Sequence, residues 1–407
     1  MMNDGETMPS VQANKSNAIV LAVAQGLFTA ALAVDLTLTG LTGYELAPDK
    51  SLATLPFALI TVAGAVATLF ASFLMQRIGR RLGFVAGSAV CAIGGAVSVW
   101  AVINNDFWTF CAGTAAVGVF QAFAQYYRLA AADSVENHQK ASAISIVLTG
   151  GVIAAIVGPA LASWSRNWFS TLFAGSYLLV AILGAASAIL IGVAYRDTGA
   201  ARTEDVGHAA LPQRSLKVIF LQPISLAALA NNVLGGVVMM FVMTAAPLAA
   251  VASHHTIDDG ANIIQWHLVG MYAPSFFAGR LIKIFGMPTV LFAGIILSAL
   301  CGAIAVMSST LLAFYVALLC LGIGWNFMFV GGTALLASSH LPSERARVQG
   351  VAELIRYGLT AIATLGAGPV LEHFGWANLN FVIFPLLVIA AVMTFIWVRA
   401  GQRAITT

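Results

Sequence analysis

Long apolar stretches separated by short polar connections run along almost the whole of this 407-residue chain. An α-helix needs roughly 20 apolar residues to cross the hydrocarbon core of a bilayer. Stretches of that length lie near 18–41, 51–75, 83–103, 107–130, 141–163, 169–195, 221–250, 262–282, 288–308, 311–336, 347–370 and 379–398. The pattern therefore predicts an all-α integral membrane protein with 12 transmembrane helices.

Strongly polar residues occur within six of these predicted helices, and the interiors of the third, sixth, ninth and twelfth contain none. Such a residue must face protein or a water-filled cavity, because lipid offers it no hydrogen-bond partner. The pattern predicts a shared polar interior, as expected of a solute pathway. The residues, from the first helix to the eleventh, are Gln25, Asp35, Gln121, Gln125, Arg128, Asn231, Asn232, Gln265, His267, Asn326, Glu353 and Arg356.

Composition and charge agree with this class. With 60% hydrophobic and 9% charged residues, the chain cannot be an ordinary soluble protein, in which about 25% of residues are charged. Arg128 and Arg356 lie within predicted helices. Of the other Lys and Arg residues, all lie on one side of the membrane except Lys50 and Arg166. Because basic loops stay in the cytoplasm, both termini are expected to be cytoplasmic in a multi-pass protein of the bacterial inner membrane. The net charge of +3 then reflects this inner surface and does not indicate nucleic-acid binding.

The chain divides once, at a stretch of mixed charge and turn formers over 197–220. We expect a cytoplasmic tail at 1–16, a six-helix bundle at 17–196, a cytoplasmic linker at 197–220, a second bundle at 221–399 and a tail at 400–407. The basic loop Arg77–Arg81 is matched by Lys283–Gly286 in the second half, and Asp133–Lys140 is matched by Ser338–Arg345. Parallel repeats of this kind build transporters with a substrate site at their interface.

These motifs resemble those of the major facilitator superfamily of secondary transporters. Its loop Gly-x-x-x-Asp-Arg-x-Gly-Arg-Arg appears as Ser72 to Arg81, with Gln76 in place of the usual acid. The acid and base spaced by seven residues after helix four match Asp133 and Lys140. The run from Gln125 to Asp133 also resembles a bacterial branch of the superfamily that includes a riboflavin carrier. The resemblance implies alternating access and an inner gate formed by Arg77, Arg80, Arg81, Arg128, Asp133, Lys140, Arg345 and Arg347.

In the first half, polar residues on helix four share one face. Gln121, Gln125 and Arg128 recur at helical spacing, which predicts either a cavity stripe that binds solute or polar contacts between helices. Arg128 lies near the inner boundary, where a gate or interfacial role is as well supported as a ligand role. Asp35, on the outer half of helix one, is a candidate proton site; the alternative is an acid solvated from the outer mouth. Gln25 lies broadly on the same side of helix one and is a candidate substrate ligand.

In the second half, Glu353 and Arg356 form a charged pair at i, i+3, roughly 9 and 13 Å inside Arg347. Glu353 is a candidate proton-coupling site and Arg356 a candidate anchor for an anionic or carbonyl group; the alternative is a structural ion pair. His267 fits a proton relay or, with more support, a structural histidine. Further candidates for a partly aromatic substrate site are Asn232, Met239, Gln265, Trp266, Trp325, Asn326 and Tyr357, although aromatic residues here also serve packing.

The chain lacks a phosphate-binding Gly-x-x-x-x-Gly-Lys-Ser/Thr motif and a His-Glu-x-x-His metal motif. The four cysteines have no metal-ligand spacing. We therefore expect no enzyme, no cofactor and no metal. The predicted function is secondary active transport of a small organic solute, vitamin-like or drug-like, by alternating access with proton coupling. Its partners would be the solute, protons and the bilayer, with the protein a monomer; a solute receptor on the same scaffold is the alternative.

Overall fold

The computed structural model describes residues 8–136, 139–197 and 214–406, which form helices joined by short turns, and those residues include no β-strand. Residues 1–7 of the expected N-terminal tail and residues 198–213 of the expected linker lie outside the described part of the chain. The chain divides into two compact units, one of Met1–Thr42 and Leu59–Gly207 and the other of Gly43–Ala58 and His208–Thr407. The connection after the first helix thus packs with the second unit.

Seven α-helices precede the linker in the described part of the chain. Each predicted stretch up to residue 195 corresponds to one long helix, except that the fourth breaks at Gln125 and Tyr126 into a long and a short part. The helices are α1 Met8–Leu46, α2 Leu55–Ile78, α3 Arg80–Ile103, α4 Phe107–Ala124, α5 Tyr127–Asp133, α6 Lys140–Ser165 and α7 Ala174–Ala194. The first helix begins at Met8, so part of the predicted tail is helical.

Nine further α-helices lie within the described residues 214–406. Leu216–Phe220 is a short helix inside the region predicted as linker, and the seventh predicted span contains a π-helical segment at Ala230–Leu234. The helices are α8 Leu216–Phe220, α9 Pro223–Leu229, α10 Gly235–Ala252, α11 Ile257–Tyr272, α12 Ser275–Phe285, α13 Met287–Met307, α14 Leu311–Ser338, α15 Arg345–Phe381 and α16 Ile383–Thr406.

Among the described residues, 10 helices are long and apolar enough to cross a membrane, and the bent pair α11 and α12 makes 11. The longest of these, over 347–401, has 55 residues. At 1.5 Å per residue it would measure roughly 80 Å, far more than one crossing requires. It divides at Gly375, whose φ of 77° and ψ of 173° are not helical. The two helical parts bring the total to the 12 spans predicted.

Close helix crossings occur in the first unit at glycines. A Cβ atom added at Gly118 on α4 would lie 2.1 Å from the carbonyl oxygen of Ile60 on α2. A Cβ added at Gly150 on α6 would lie 2.0 Å from the carbonyl oxygen of Ala22 on α1. Both distances are too short for any side chain, so these backbones approach each other only because glycine stands there.

Two turns of nearly identical backbone shape join helices in the two units. Gly79, between α2 and α3, has φ 86° and ψ 158°, and Gly286, between α12 and α13, has φ 84° and ψ 153°. In each turn the glycine amide donates to a carbonyl four residues earlier at 2.9 Å. Only glycine readily adopts this conformation, which lets one residue end a helix and begin the next.

Candidate functional site

A set of polar contacts holds the end of the first unit that carries the α2–α3 turn. The Arg80 guanidinium donates to Asp133 Oδ2 at 2.6 Å, and the Arg80 amide donates to Asp197 Oδ2 at 3.1 Å. The Arg81 guanidinium donates to the carbonyl oxygen of Gly192. Within the expected inner gate, Asp133 thus pairs with Arg80, while the Arg77 guanidinium lies over the Phe73 ring at 4.3 Å.

A second ion pair lies at the α14–α15 connection in the second unit. The Arg214 guanidinium donates to both carboxylate oxygens of Glu344, from Nε at 3.0 Å and from Nη2 at 2.7 Å. The amides of Arg214 and Leu341 each donate to the same carboxylate at 2.9 Å. The Arg214 bonds, more than any other contact, lower the pKa of Glu344 from 4.5 to about 2. The carboxylate is almost fully buried, so the pair fixes this connection to the start of α8.

The sequence interpretation missed this pair. Glu344 lies three residues before the start of the predicted span at 347–370, in a polar stretch where a buried acid has no periodic pattern to mark it. Arg214 lies in the predicted linker, where charged residues are usually solvated. The repeat between Asp133–Lys140 and Ser338–Arg345 was the one available signal, because the structure places an ion pair at both connections.

Asp35 is buried within the first unit. The Thr39 hydroxyl donates to Asp35 Oδ1 at 3.0 Å, and the Tyr177 hydroxyl on α7 contacts Thr39 Oγ1 at 3.3 Å and Thr42 Oγ1 at 3.1 Å. Asp35 has no exposed surface, so it is not an acid solvated from an outer mouth. Its other oxygen, Oδ2, has no hydrogen-bond partner among the described residues. This leaves a buried position able to hold a proton.

The three predicted amides of the first unit lie on α1, on α4 and in the break between α4 and α5. Gln25 Nε2 donates to Thr29 Oγ1 at 3.2 Å, and a Cβ at Gly151 on α6 would lie 3.4 Å from Gln25 Cγ. A Cβ at Gly64 on α2 would lie 3.7 Å from the Gln121 amide. Gln25, Gln121 and Gln125 are all partly buried, which is compatible with both a cavity and a packing role.

Aromatic and charged side chains meet on α14 and α15 in the second unit. The rings of Trp325 and Phe329 stack, with centroids 4.8 Å apart and planes at 16°. The Arg356 guanidinium lies 5.9 Å from the Phe329 ring centre and 4.3 Å from that of Tyr357. Glu353 Oε2 accepts from Arg356 Nε at 3.0 Å, and the Glu353 side chain is 48% exposed against 18% for Arg356. These side chains offer a flat stacking surface next to a fixed positive charge.

The π-helical segment carries two buried asparagines. Asn231 Nδ2 donates to Thr394 Oγ1 at 2.8 Å and so joins this segment to α16. Asn232 Nδ2 donates to Thr333 Oγ1 on α14 at 3.1 Å. The side-chain oxygens of both asparagines are buried without a partner among the described residues. Since π-helical turns often mark functional positions, Asn232 remains a candidate for ligand binding.

Two predicted polar residues serve helix packing. Asn326 Nδ2 donates to the carbonyl oxygen of Met271 at 2.7 Å and to Ser275 Oγ at 2.5 Å, across the 46° bend at Pro274. His267 Nδ1 contacts the carbonyl oxygen of Leu318 at 2.8 Å and is buried between α11 and α14. His267 therefore has the position of a structural histidine, which was the better supported of the two expectations.

The remaining predicted substrate residues lie on α10 and α11. Met239 is buried in α10, Gln265 is partly buried, and Trp266 is 53% exposed. Of the predicted gate residues, Arg128, Arg345 and Arg347 are exposed, and Lys140 is half-buried at the start of α6.

Comparison with known proteins identifies the fold and family. The family model of the Major Facilitator Superfamily matches residues 18–271 and 263–406. The chain belongs to this superfamily. It is 37% identical to the riboflavin transporter RfnT of Brucella anthropi over 386 residues, covering 95% of this chain and 96% of that protein.

More distant major facilitator proteins agree with the assignment. The chain is 28% identical to the uncharacterised transporter YdeG of Bacillus subtilis, covering 84% of this chain and 82% of that protein. A crystal structure of the nucleoside transporter NupG shares the fold, with a TM-score of 0.69 and 15% identity over 94% of this chain and 99% of that one. The protein is thus a multi-pass membrane transporter of small molecules and not an enzyme.

Proposed function

We propose that the chain transports riboflavin, or a close relative with a flat heteroaromatic ring, by alternating access. The observation that carries the proposal is the stacked pair Trp325 and Phe329 beside Arg356. Aromatic rings stack on flat conjugated ligands, and a guanidinium donates to ring carbonyl oxygens in the ring plane. The 37% identity to a riboflavin transporter supports the same ligand class.

The two ion pairs at the connections support a gating role. Arg80–Asp133 in the first unit and Arg214–Glu344 in the second each tie a connection to a neighbouring helix. In alternating access such contacts form and break as the substrate site changes the side to which it opens. With Gln76 in place of the usual acid, the first unit has one acid fewer for this task, so we expect a weak inner lock.

Proton coupling is proposed through Glu353. Its carboxylate is partly exposed and is held by Arg356, which is also the residue offered to the substrate. A substrate that competes for Arg356 would release Glu353 to take up a proton, and this links the two occupancies through one shared contact. Asp35 is the second candidate, since its unpartnered oxygen can carry a proton.

Counterflow in proteoliposomes tests the proposal. Purified protein is reconstituted in liposomes loaded with riboflavin, and entry of labelled riboflavin is followed with and without a pH gradient. We expect exchange without the gradient and accumulation with it. Binding without counterflow would support the receptor alternative, and binding of no flavin by the purified protein would refute the ligand class.

A further inference from the structure

Thr333 continues the face of α14 that carries the stacked rings. Trp325, Phe329 and Thr333 recur every four residues, so their side chains lie on one side of the helix. Thr333 is exposed although Gly331 and Gly332 before it are buried. A charged side chain within the membrane faces protein or water, and Arg356 lies over Phe329. This side of α14 therefore faces a polar space and not lipid.

The Asn232 side chain orients the Thr333 hydroxyl. Its Nδ2 donates to Thr333 Oγ1 at 3.1 Å, and Asn232 is only 6% exposed. Close packing holds the backbone of this asparagine, because a Cβ added at Gly332 would lie 3.0 Å from the backbone nitrogen of Asn232. A threonine hydroxyl that accepts one hydrogen bond still has its own proton to donate and a second lone pair. Thr333 thus presents a positioned donor and acceptor on the exposed face.

The spacing along α14 relates this hydroxyl to the rings. Four residues of α-helix advance by about 6 Å, so Thr333 lies about that far from Phe329, toward the α14–α15 connection. A flat ring placed against Phe329 would carry a flexible hydroxylated substituent of this length to Thr333. We propose that Thr333, held by Asn232, binds a hydroxyl group of the polyol chain of the substrate. The inference rests on the proposed function, and it assigns to Thr333 the specificity for a substrate that carries a hydroxylated chain.

Two ligands that share one ring system separate this contact from ring binding. Riboflavin carries a ribityl chain, and lumiflavin carries a methyl group at the same ring nitrogen. Dissociation constants for both are measured by quenching of flavin fluorescence on the parent, Thr333→Val and Thr333→Ser. Valine keeps the shape and removes the hydroxyl, whereas serine keeps the hydroxyl. A thermal melt of each variant confirms that it is folded.

We expect the parent to prefer riboflavin, and Thr333→Val to lose about five- to tenfold of that preference, the worth of roughly one hydrogen bond. Lumiflavin affinity should stay at the parent value, and Thr333→Ser should retain the preference. Asn232→Ala should weaken the preference too, and combining it with Thr333→Val should add little, because both act on one contact.

Three results would overturn the inference. An unchanged preference in Thr333→Val would show that the hydroxyl binds no part of the chain. Equal weakening of both flavins would show that the substitution disturbs the ring site instead. A parent that binds riboflavin and lumiflavin equally would show that the chain is not recognised. These differ from failure of the proposed function, in which the parent binds neither flavin.

Discussion

Polar side chains are used differently in the two units. In the first, Asp35, Thr39 and Tyr177 bond to one another across α1 and α7, and one carboxylate oxygen remains without a partner. In the second, Asn231, Asn232 and Asn326 each keep a buried oxygen without a partner among the described residues. The second unit also carries the charged pair Glu353 and Arg356 beside the stacked rings of Trp325 and Phe329. Both units thus use polar side chains to join helices, but the second leaves more buried oxygens without a partner among the described residues, and we expect the ligand to bind there.

The largest expected effect concerns packing. Gly118→Ala would place a Cβ 2.1 Å from the Ile60 carbonyl oxygen, so α2 and α4 must separate, at a cost of roughly 1–3 kcal/mol in unfolding free energy. The matched control is Gly358→Ala on α15, where nothing lies within 4 Å of the added atom. Thermal melts in detergent should show a clearly lower melting temperature for Gly118→Ala and an unchanged one for Gly358→Ala. Equal melting temperatures would contradict the contrast in packing.

The next effect concerns ligand binding by the second unit. Arg356→Gln removes the guanidinium that we propose donates to a ring carbonyl oxygen of the ligand, a contact worth about 1–2 kcal/mol and so about tenfold in riboflavin affinity. Arg356→Lys keeps the charge but not the planar group, so its riboflavin affinity should lie between those of the parent and Arg356→Gln. Fluorescence quenching measures both. Parent-like affinity in Arg356→Gln would remove Arg356 from the binding site.

Glu353 and Asp35 are expected to differ in role, Glu353 in proton coupling and Asp35 in helix packing. Glu353→Gln should abolish pH-gradient-driven accumulation and preserve riboflavin exchange, because exchange needs no net proton movement. Asp35→Asn should retain accumulation and melt at a lower temperature, since the new amide buries a donor that has no acceptor, at about 1 kcal/mol. Accumulation and exchange are measured in liposomes, and the melting temperature of each variant is measured in detergent. Accumulation by both variants would rule out coupling through either acid.

Asp133→Asn tests the ion pair of the first unit. Loss of the charge leaves Arg80 without its partner at 2.6 Å and should favour the inward-facing state, which slows transport more than binding. Labelling of a cysteine introduced near the expected inner cavity measures the change. The gate assignment is wrong if the labelling rate equals that of the parent.

The smallest effect is the pH dependence of the pair in the second unit. Because the pKa of Glu344 is lowered from 4.5 to about 2, its stabilising contribution is complete above pH 4.5 and is lost as pH falls toward 2. The melting temperatures of the parent and Glu344→Gln should therefore differ by a constant amount between pH 8 and about 5 and converge below that. Convergence between pH 8 and 6 would contradict the lowered pKa.

The sequence predicted the 12 spans because hydrophobic length alone decides a membrane crossing. It did not predict the bend at Pro274 or the π-helical segment at Ala230–Leu234, since both depend on neighbouring helices that satisfy the freed backbone groups. Arg356 and Glu353 were found because charge is rare in an apolar run. Thr333 was missed, since a threonine in such a run has no unusual cost until Asn232 is known to contact it.

The turns at Gly79 and Gly286 show which residues a helix-ending turn depends on. The same backbone geometry, open to almost no residue except glycine, ends a corresponding helix in each half. Because the positive φ falls on the glycine alone, the residues that precede it can differ between the two turns. Exchanging Ile284 and Phe285 for Arg and Ile, the residues that precede Gly79, should therefore leave the melting temperature unchanged; a lower melting temperature would show that the preceding side chains also shape the turn.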